Sequence, residues 1–394
     1  MEAAGSSRLA HTGLLVLFPG FFVYHALVDL GLPPVLGGYS VLAAALMVPV
    51  VLLAYTMSLR ERGAVWMDIA LALLLAWTLV AMGMAAGRNR APAIVVSYAG
   101  AMIQWVALYG VARSLALGSP RLNRWCQISW WLMTLVSLSS LSLENLLQGT
   151  LGLGVLEDDE SLANYQDFGL LYLIVTLLCI ALSERAWFRW GVLVVSVAIL
   201  FLNGARSEFA ALVLGVFMLA VLRSRHPWLL VLAAVVAALG IWASTDALVA
   251  LFPDNRIVAL VESSYEYSAT ERQEMAEHAW NLVQTSPLAG DFGNYRPGEY
   301  AHSILSAWVD LGIGGLLLML LMLGLPILDA LRRMGGHAGA MSNHRRVMLV
   351  LLLLALLLLF VAKTHTYNLL PFALGLYAND AAQRLRPMPS AATA

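Results

Sequence analysis

The sequence predicts an all-α polytopic membrane protein of about twelve transmembrane helices, with one large helical loop between the ninth and tenth. Three observations carry this. Of 394 residues, 60% are hydrophobic and only 12% charged, and the mean hydropathy is +0.78, which no water-soluble globule of ordinary composition matches. Twelve apolar runs, at about 11–29, 34–57, 64–86, 91–117, 125–147, 165–183, 187–203, 207–222, 227–248, 301–330, 346–363 and 367–382, approach the ~20 residues a helix needs to cross ~30 Å of hydrocarbon. The basic residues are divided unevenly between the loops on the two sides, as cytoplasmic retention of Lys and Arg requires.

Along the chain, the first run lacks an A-x-A-type cleavage site and other spans follow it, so it reads as an uncleaved first span with the N-terminus inside. That orientation leaves only Arg88, Arg90, Arg206, Arg256, Arg272, Arg296 and Lys363 of the 23 basic residues outside, and both termini in the cytoplasm. Cations on the outer face oppose the retention bias. Arg88 and Arg90 are either anchors that snorkel to the interface or part of a site for an anion. The outer loop 148–164 carries four acids in a row, Glu157 to Glu160, which read as a solvated face rather than a metal site. A net charge of −1 removes the electrostatic case for nucleic acid. Cys126 and Cys179 lie in apolar runs and read as packing residues. The last run is short and interrupted by Pro371.

Three helix starts face outward. Asn203-Gly204 is a strong turn signal, so the eighth span begins near Arg206-Ser207, where an Arg beside exposed N–H groups and a positive dipole end suits an oxyanion; pairing of Arg206 with Glu208 is the alternative. In the large loop, about 249–300, Thr270 and Gln273 match a capping box, and Met275, Ala279, Leu282 and Val283 recur at helical spacing. An amphipathic helix over about 271–284 follows, closed by Ser286-Pro287. Arg272 falls in its first turn, where the dipole disfavours a cation unless an anion offsets it; Glu271 and Glu274 are one such anion and a ligand is another. The tenth span starts near His302-Ser303, with His302 placed either to hydrogen-bond at the interface or to accept a proton near neutral pH. Asp310 lies about 12 Å deeper at 1.5 Å per residue, so it needs a partner. Gly312, Gly314 and Gly315 predict close helix packing. Lys363 and His365, at the outer end of the eleventh span, either join this site or anchor the helix.

The stretches NGARSEF, ERQEMAEHAW, SPLAGDFG and YAHSILSAWVDLGIGG together resemble the O-antigen ligase and O-antigen polymerase superfamily, over about 165–330. The resemblance implies a GT-C-like glycosyltransferase of the bacterial inner membrane, working at the periplasmic face without cofactor or nucleotide sugar. It would take a glycan from undecaprenyl diphosphate and attach it to lipid A core or to a second lipid-linked glycan. By motif, Arg206 and Arg272 fall on the residues associated with the diphosphate and His302 on that associated with the reacting hydroxyl. Arg88, Arg90, Ser303 and Lys363 are further candidates for substrate binding. The chain departs from the family with Ala205-Arg206-Ser207 in place of Ser-Arg-Gly, and Ser303 where Asn is frequent. No Asp-x-Asp pair occurs, so a metal-independent, inverting transfer is the simpler expectation. Ligation is preferred over polymerisation because one moderate loop suits a single transfer. The alternatives are a carrier of polyprenyl-linked glycans, disfavoured because most charges apart from Asp310 sit at span ends and by the lack of duplicated halves, and a scaffold that binds lipid head groups.

Overall fold

The computed structural model describes the chain except residues 1–2, 89–91, 142–164, 245–246, 248, 251–256, 258–265, 296–300, 335–340 and 386–394. Fourteen helices make up the described residues: α1 (Ala3–Leu17), α2 (Pro19–Asp29), α3 (Ser40–Arg62), α4 (Trp66–Gly87), α5 (Pro92–Ser114), α6 (Pro120–Ser139), α7 (Tyr165–Leu182), α8 (Ala186–Asn203), α9 (Arg206–Arg223), α10 (Pro227–Ala243), α11 (Glu266–Thr285), α12 (Leu305–Met334), α13 (Asn343–Val361) and α14 (Leu369–Arg384). Among the described residues, eight segments are long and apolar enough to cross a membrane: α1–α2 taken together from Gly5, α3, α4, α5, α7, α8, α12 and α13. The chain is a helical membrane protein.

Its surface is inverted relative to a soluble fold. Leu46, Ile69, Val80, Val96 and Val194 are all more than half exposed, an apolar belt that hydrocarbon accommodates and water would not. Polar groups turn inward and pair. Arg113, fully buried, bonds Asp68 Oδ1 at 3.3 Å, Ser58 Oγ at 3.1 Å and the Gly63 carbonyl at 2.8 Å, tying together the ends of α3, α4 and α5. Its charge is therefore matched inside the protein, as a buried ion requires. Trp130 Nε1 donates to Ser196 Oγ at 2.9 Å, and the Thr134 and Tyr172 hydroxyls lie 2.7 Å apart. These bonds stitch α6, α7 and α8 in a core where an unmade hydrogen bond is costly. Both cysteines are buried and free.

Several boundaries differ from the sequence expectation. The loop helix begins at Glu266, so Thr270 lies inside it and is no N-cap. Pro371 sits in the first turn of α14, where its missing N–H has no intrahelical partner to lose, and so it opens that helix instead of interrupting it. The tenth run is not continuous: α12 breaks at Gly312, with φ 68° and ψ −174°, a region essentially reserved for glycine. The acidic run Glu157–Glu160 lies outside the described residues.

Candidate functional site

The turn between α8 and α9 is as tight as the sequence predicts. Gly204 caps α8 in the left-handed region at φ 67°, and α9 begins two residues later at Arg206, whose side chain is half-buried. Asn203 Nδ2 holds the turn to the Tyr165 carbonyl at 2.8 Å. Glu208, fully buried in the first turn of α9, faces inward: it receives Lys363 Nζ at 2.7 Å, the Tyr367 hydroxyl at 3.1 Å and the Ser207 hydroxyl at 2.8 Å. Lys363 also donates to Gln166 Oε1 at 2.8 Å. The ammonium of Lys363 is thus buried and matched by a carboxylate, which makes it an internal counter-ion. It acts as a strut between α7, α9 and the α13–α14 loop.

The second helix start is built by interlocking two motifs. The break at Gly312 frees the N–H of Ile313 and the carbonyl of Val309, which a continuous helix would pair with each other. The loop after α11 supplies both missing partners. The Pro287 carbonyl accepts from Ile313 N at 3.0 Å, and Asp291 N donates to the Val309 carbonyl at 2.6 Å. Pro287 O also accepts from Trp308 Nε1 at 2.9 Å, and Trp77 Nε1 from α4 reaches Leu311 O at 3.0 Å. The Ile313 N–H and the Val309 and Leu311 carbonyls thus find partners across the break, the condition for irregular backbone among membrane helices. The contact leaves no room for a side chain. A Cβ on Gly312 would sit 2.1 Å from the Leu288 carbonyl oxygen, and one on Gly290, at φ 73°, 2.5 Å from Gly312 N. Gly312 therefore packs against a loop, whereas Gly314 meets the Trp77 ring of α4, the helix packing the sequence predicts.

Asp310 completes this joint. Buried to 1% exposure, it accepts from the Tyr98 hydroxyl of α5, from the Tyr295 hydroxyl at 3.1 Å and from Gly293 N at 3.3 Å. The carboxylate has the partners its depth requires, and its work is to fasten the 287–295 loop across α5 and α12. The loop helix is fastened too: Ala279, Leu282 and Val283 bury against Ala301 and Val309, with Trp280 edge-on to Trp308.

His302 and Ser303 lie in the turn leading into α12, both half-buried. The Ser303 hydroxyl accepts from Leu305 N at 3.3 Å, and its carbonyl accepts from the Ser306 hydroxyl at 2.7 Å, so Ser303 shapes the turn. Ser306 Oγ in turn accepts from His365 N at 2.9 Å and lies 3.0 Å from His365 Nδ1. The α13–α14 loop thereby ties both helix starts together, holding α9 near Arg206 through Lys363 and α12 near His302 through His365. Arg272 lies on α11 two turns before Ala279; its side chain and the whole of Arg90 are outside what is described. Arg88 caps α4 and stands 4.0 Å from Asp291 Oδ1, with 63% of its side chain exposed. Such an exposed pair contributes little.

Tyr98, Tyr295 and Ser306 are missed by sequence reasoning, and Glu208 enters it only as a partner for Arg206 rather than for Lys363 and Tyr367. Glu208 was legible by the rule that singles out Asp310, since a carboxylate within an apolar span needs a partner. The others are ordinary polar residues whose role exists only in three dimensions.

His365, in the loop beyond α13, is pushed down to about 3 by burial. Its folded value lies below the unfolded one of about 6.5, so the neutral ring contributes stability that is present above about pH 6.5 and lost as pH falls toward 3. The slope approaches about 1.4 kcal/mol per pH unit. Thermal unfolding of the detergent-purified protein from pH 8 to pH 5 is expected to show stability declining below about pH 6.5, and less steeply in His365→Gln. Parallel profiles for the two proteins would refute the assignment.

No family model, curated protein or solved structure matches the chain.

Proposed function

We propose that the protein transfers a glycan from undecaprenyl diphosphate to an acceptor sugar at the periplasmic face of a bacterial inner membrane. α6, α9, α10 and α14 complete a GT-C-like bundle of twelve spans with both termini cytoplasmic. Arg206 and Arg272 neutralise the diphosphate, and His302 takes the proton of the acceptor hydroxyl. The acceptor oxygen bonds to the anomeric carbon as the carbon–oxygen bond to diphosphate breaks, the electron pair leaves with the diphosphate, and the configuration inverts. Two guanidiniums and helix N–H donors suffice to stabilise this leaving group without a divalent ion.

The observation that carries the proposal is the α13–α14 loop, whose Lys363 and His365 draw the α9 and α12 starts into one neighbourhood. Ligation to lipid A core is preferred over polymerisation, because a single moderate loop beside this neighbourhood suits one transfer per acceptor.

The test supplies purified protein with an undecaprenyl-diphosphate-linked glycan and either core lipid A or excess donor. One shifted band is expected with core lipid A, while a ladder from donor alone would reassign the protein as a polymerase. No product under either condition overturns transfer and favours a carrier or a scaffold. Arg206→Ala is expected to lower the rate by ~10²-fold or more, the usual effect of losing one charge-assisted contact made mainly in the transition state. Unchanged turnover in that variant would remove Arg206 from the mechanism.

A further inference from the structure

At the opposite end of the bundle lies a second polar concavity that glycan transfer does not use. Tyr98, on Asp310, and Ser114, two residues before the cavity-lining Ala116, lie on α5 about 24 Å apart at 1.5 Å per residue. The cavity, of about 570 Å³, opens between α1 and the start of α6, where Ser7, Arg8 and His11 face Ser119, Arg121 and Trp125.

Its chemistry is one-sided. Among the described residues, no carboxylate lines it. α6 carries no acid in its first turn, yet Arg121 sits there, at the end where the dipole disfavours a cation unless an anion offsets it. Arg8 and Arg121 are exposed at the rim of the cavity, and their guanidiniums have no ion pair or hydrogen bond among the described residues. His11 is 5% exposed, lies 6.2 Å from Trp125 in a stacked arrangement, and leaves Nε2 with no partner among the described residues. A buried ring nitrogen without a partner is costly, so His11 Nε2, set behind two cations at the rim, is a second and independent sign of a ligand.

We propose that this cavity binds a phosphate group. Arg8 and Arg121 grip its oxygens, the α6 N-terminus adds its dipole, the Ser7 and Ser119 hydroxyls and His11 supply hydrogen-bonding groups, and Trp125 covers the apolar or glycerol portion attached to it. The phosphate belongs to an anionic phospholipid head group or to a soluble phosphate compound. The site lies at helix ends, where head groups collect, which favours the lipid. This site stands independently of the glycan-transfer reading.

The test is native mass spectrometry of the purified full-length protein with phosphatidylglycerol or phosphatidylcholine, and separately with inorganic phosphate. Phosphatidylglycerol is expected to be retained in preference to phosphatidylcholine, with retention at least tenfold lower in Arg8→Ala/Arg121→Ala. Arg225→Ala, which removes an exposed arginine outside the cavity, is expected to retain it as the parent does. Binding of inorganic phosphate that the double variant abolishes, without preferential lipid retention, keeps the site and assigns it to a soluble compound. Arg121→Glu, a single exposed change, serves if the double variant does not fold, and is expected to lose binding as well. Equal retention in parent and cavity variants, or an equal loss in Arg225→Ala, overturns the proposal.

Discussion

Gly312→Ala is expected to stop the proposed glycan transfer, with a fall of at least ~10²-fold, and to lower stability by about 3 kcal/mol. The backbone at φ 68°, ψ −174° costs a non-glycine residue ~1–3 kcal/mol. The added Cβ would stand 2.1 Å from the Leu288 carbonyl oxygen, and overpacking of this kind costs another ~1–3 kcal/mol. The chain has an escape from that strain: α12 can straighten, pairing Ile313 N with Val309 O and expelling the Pro287–Asp291 segment that now occupies those bonds. A straight α12 re-aims its first turn and the His302 turn before it, and strips Asp310 of Gly293 and Tyr295. Gly324→Ala is the control, in the same helix with open space around it; there alanine is expected to be neutral or to stabilise by up to ~1 kcal/mol. The rate comes from the transfer assay and the stability from thermal unfolding in detergent. If the two variants behaved alike, the interlock between loop and helix would have no energetic content.

What was legible in the sequence follows the reach of each signal. The Asn203-Gly204 turn was readable because a left-handed C-cap needs a residue that tolerates positive φ, and that requirement is met by one position. The start of α9 at Arg206 follows from it. The packing of Ala279, Leu282 and Val283 was readable because helical spacing alone puts them on one face. The break in α12 was not, since the segment around Gly312 stays apolar on average despite Asp310, and hydropathy treats a broken span and a whole one alike. What breaks the helix is a competing set of hydrogen bonds from residues about twenty positions upstream, and no local pattern records it. The role of Lys363 was hidden for the same reason: its partner Glu208 lies 155 positions away, and a cation at a span end reads as an anchor until the carboxylate facing it is located.

That pair sets the second large expectation, in which Glu208→Ala destabilises the protein by about 3–5 kcal/mol, the usual cost of leaving a buried charge without its partner. Lys363 Nζ sits 2.7 Å from the lost carboxylate on a side chain only 9% exposed, and the Tyr367 hydroxyl loses its acceptor as well. Gln166 remains as a neutral partner for the ammonium. Asp167 lies close enough for its charge to act on Lys363, so the loss should fall toward the lower part of that range. Removing the cation together with the anion separates charge from packing: Glu208→Gln/Lys363→Met keeps the volume, an acceptor for Tyr367 and no net charge. This double variant is expected to be more stable than Glu208→Ala by at least ~1.5 kcal/mol, since a well-filled neutral replacement of a buried pair often costs little. Transfer tests whether the strut matters to chemistry. The double variant keeps the helices packed but loses the ionic link between α9 and the α13–α14 loop, so a rate that falls further than stability does would show that Lys363 and Glu208 hold the Arg206 turn in register with His302. A double variant as unstable as Glu208→Ala would mean that shape, rather than the unpaired ammonium, sets the cost at this position.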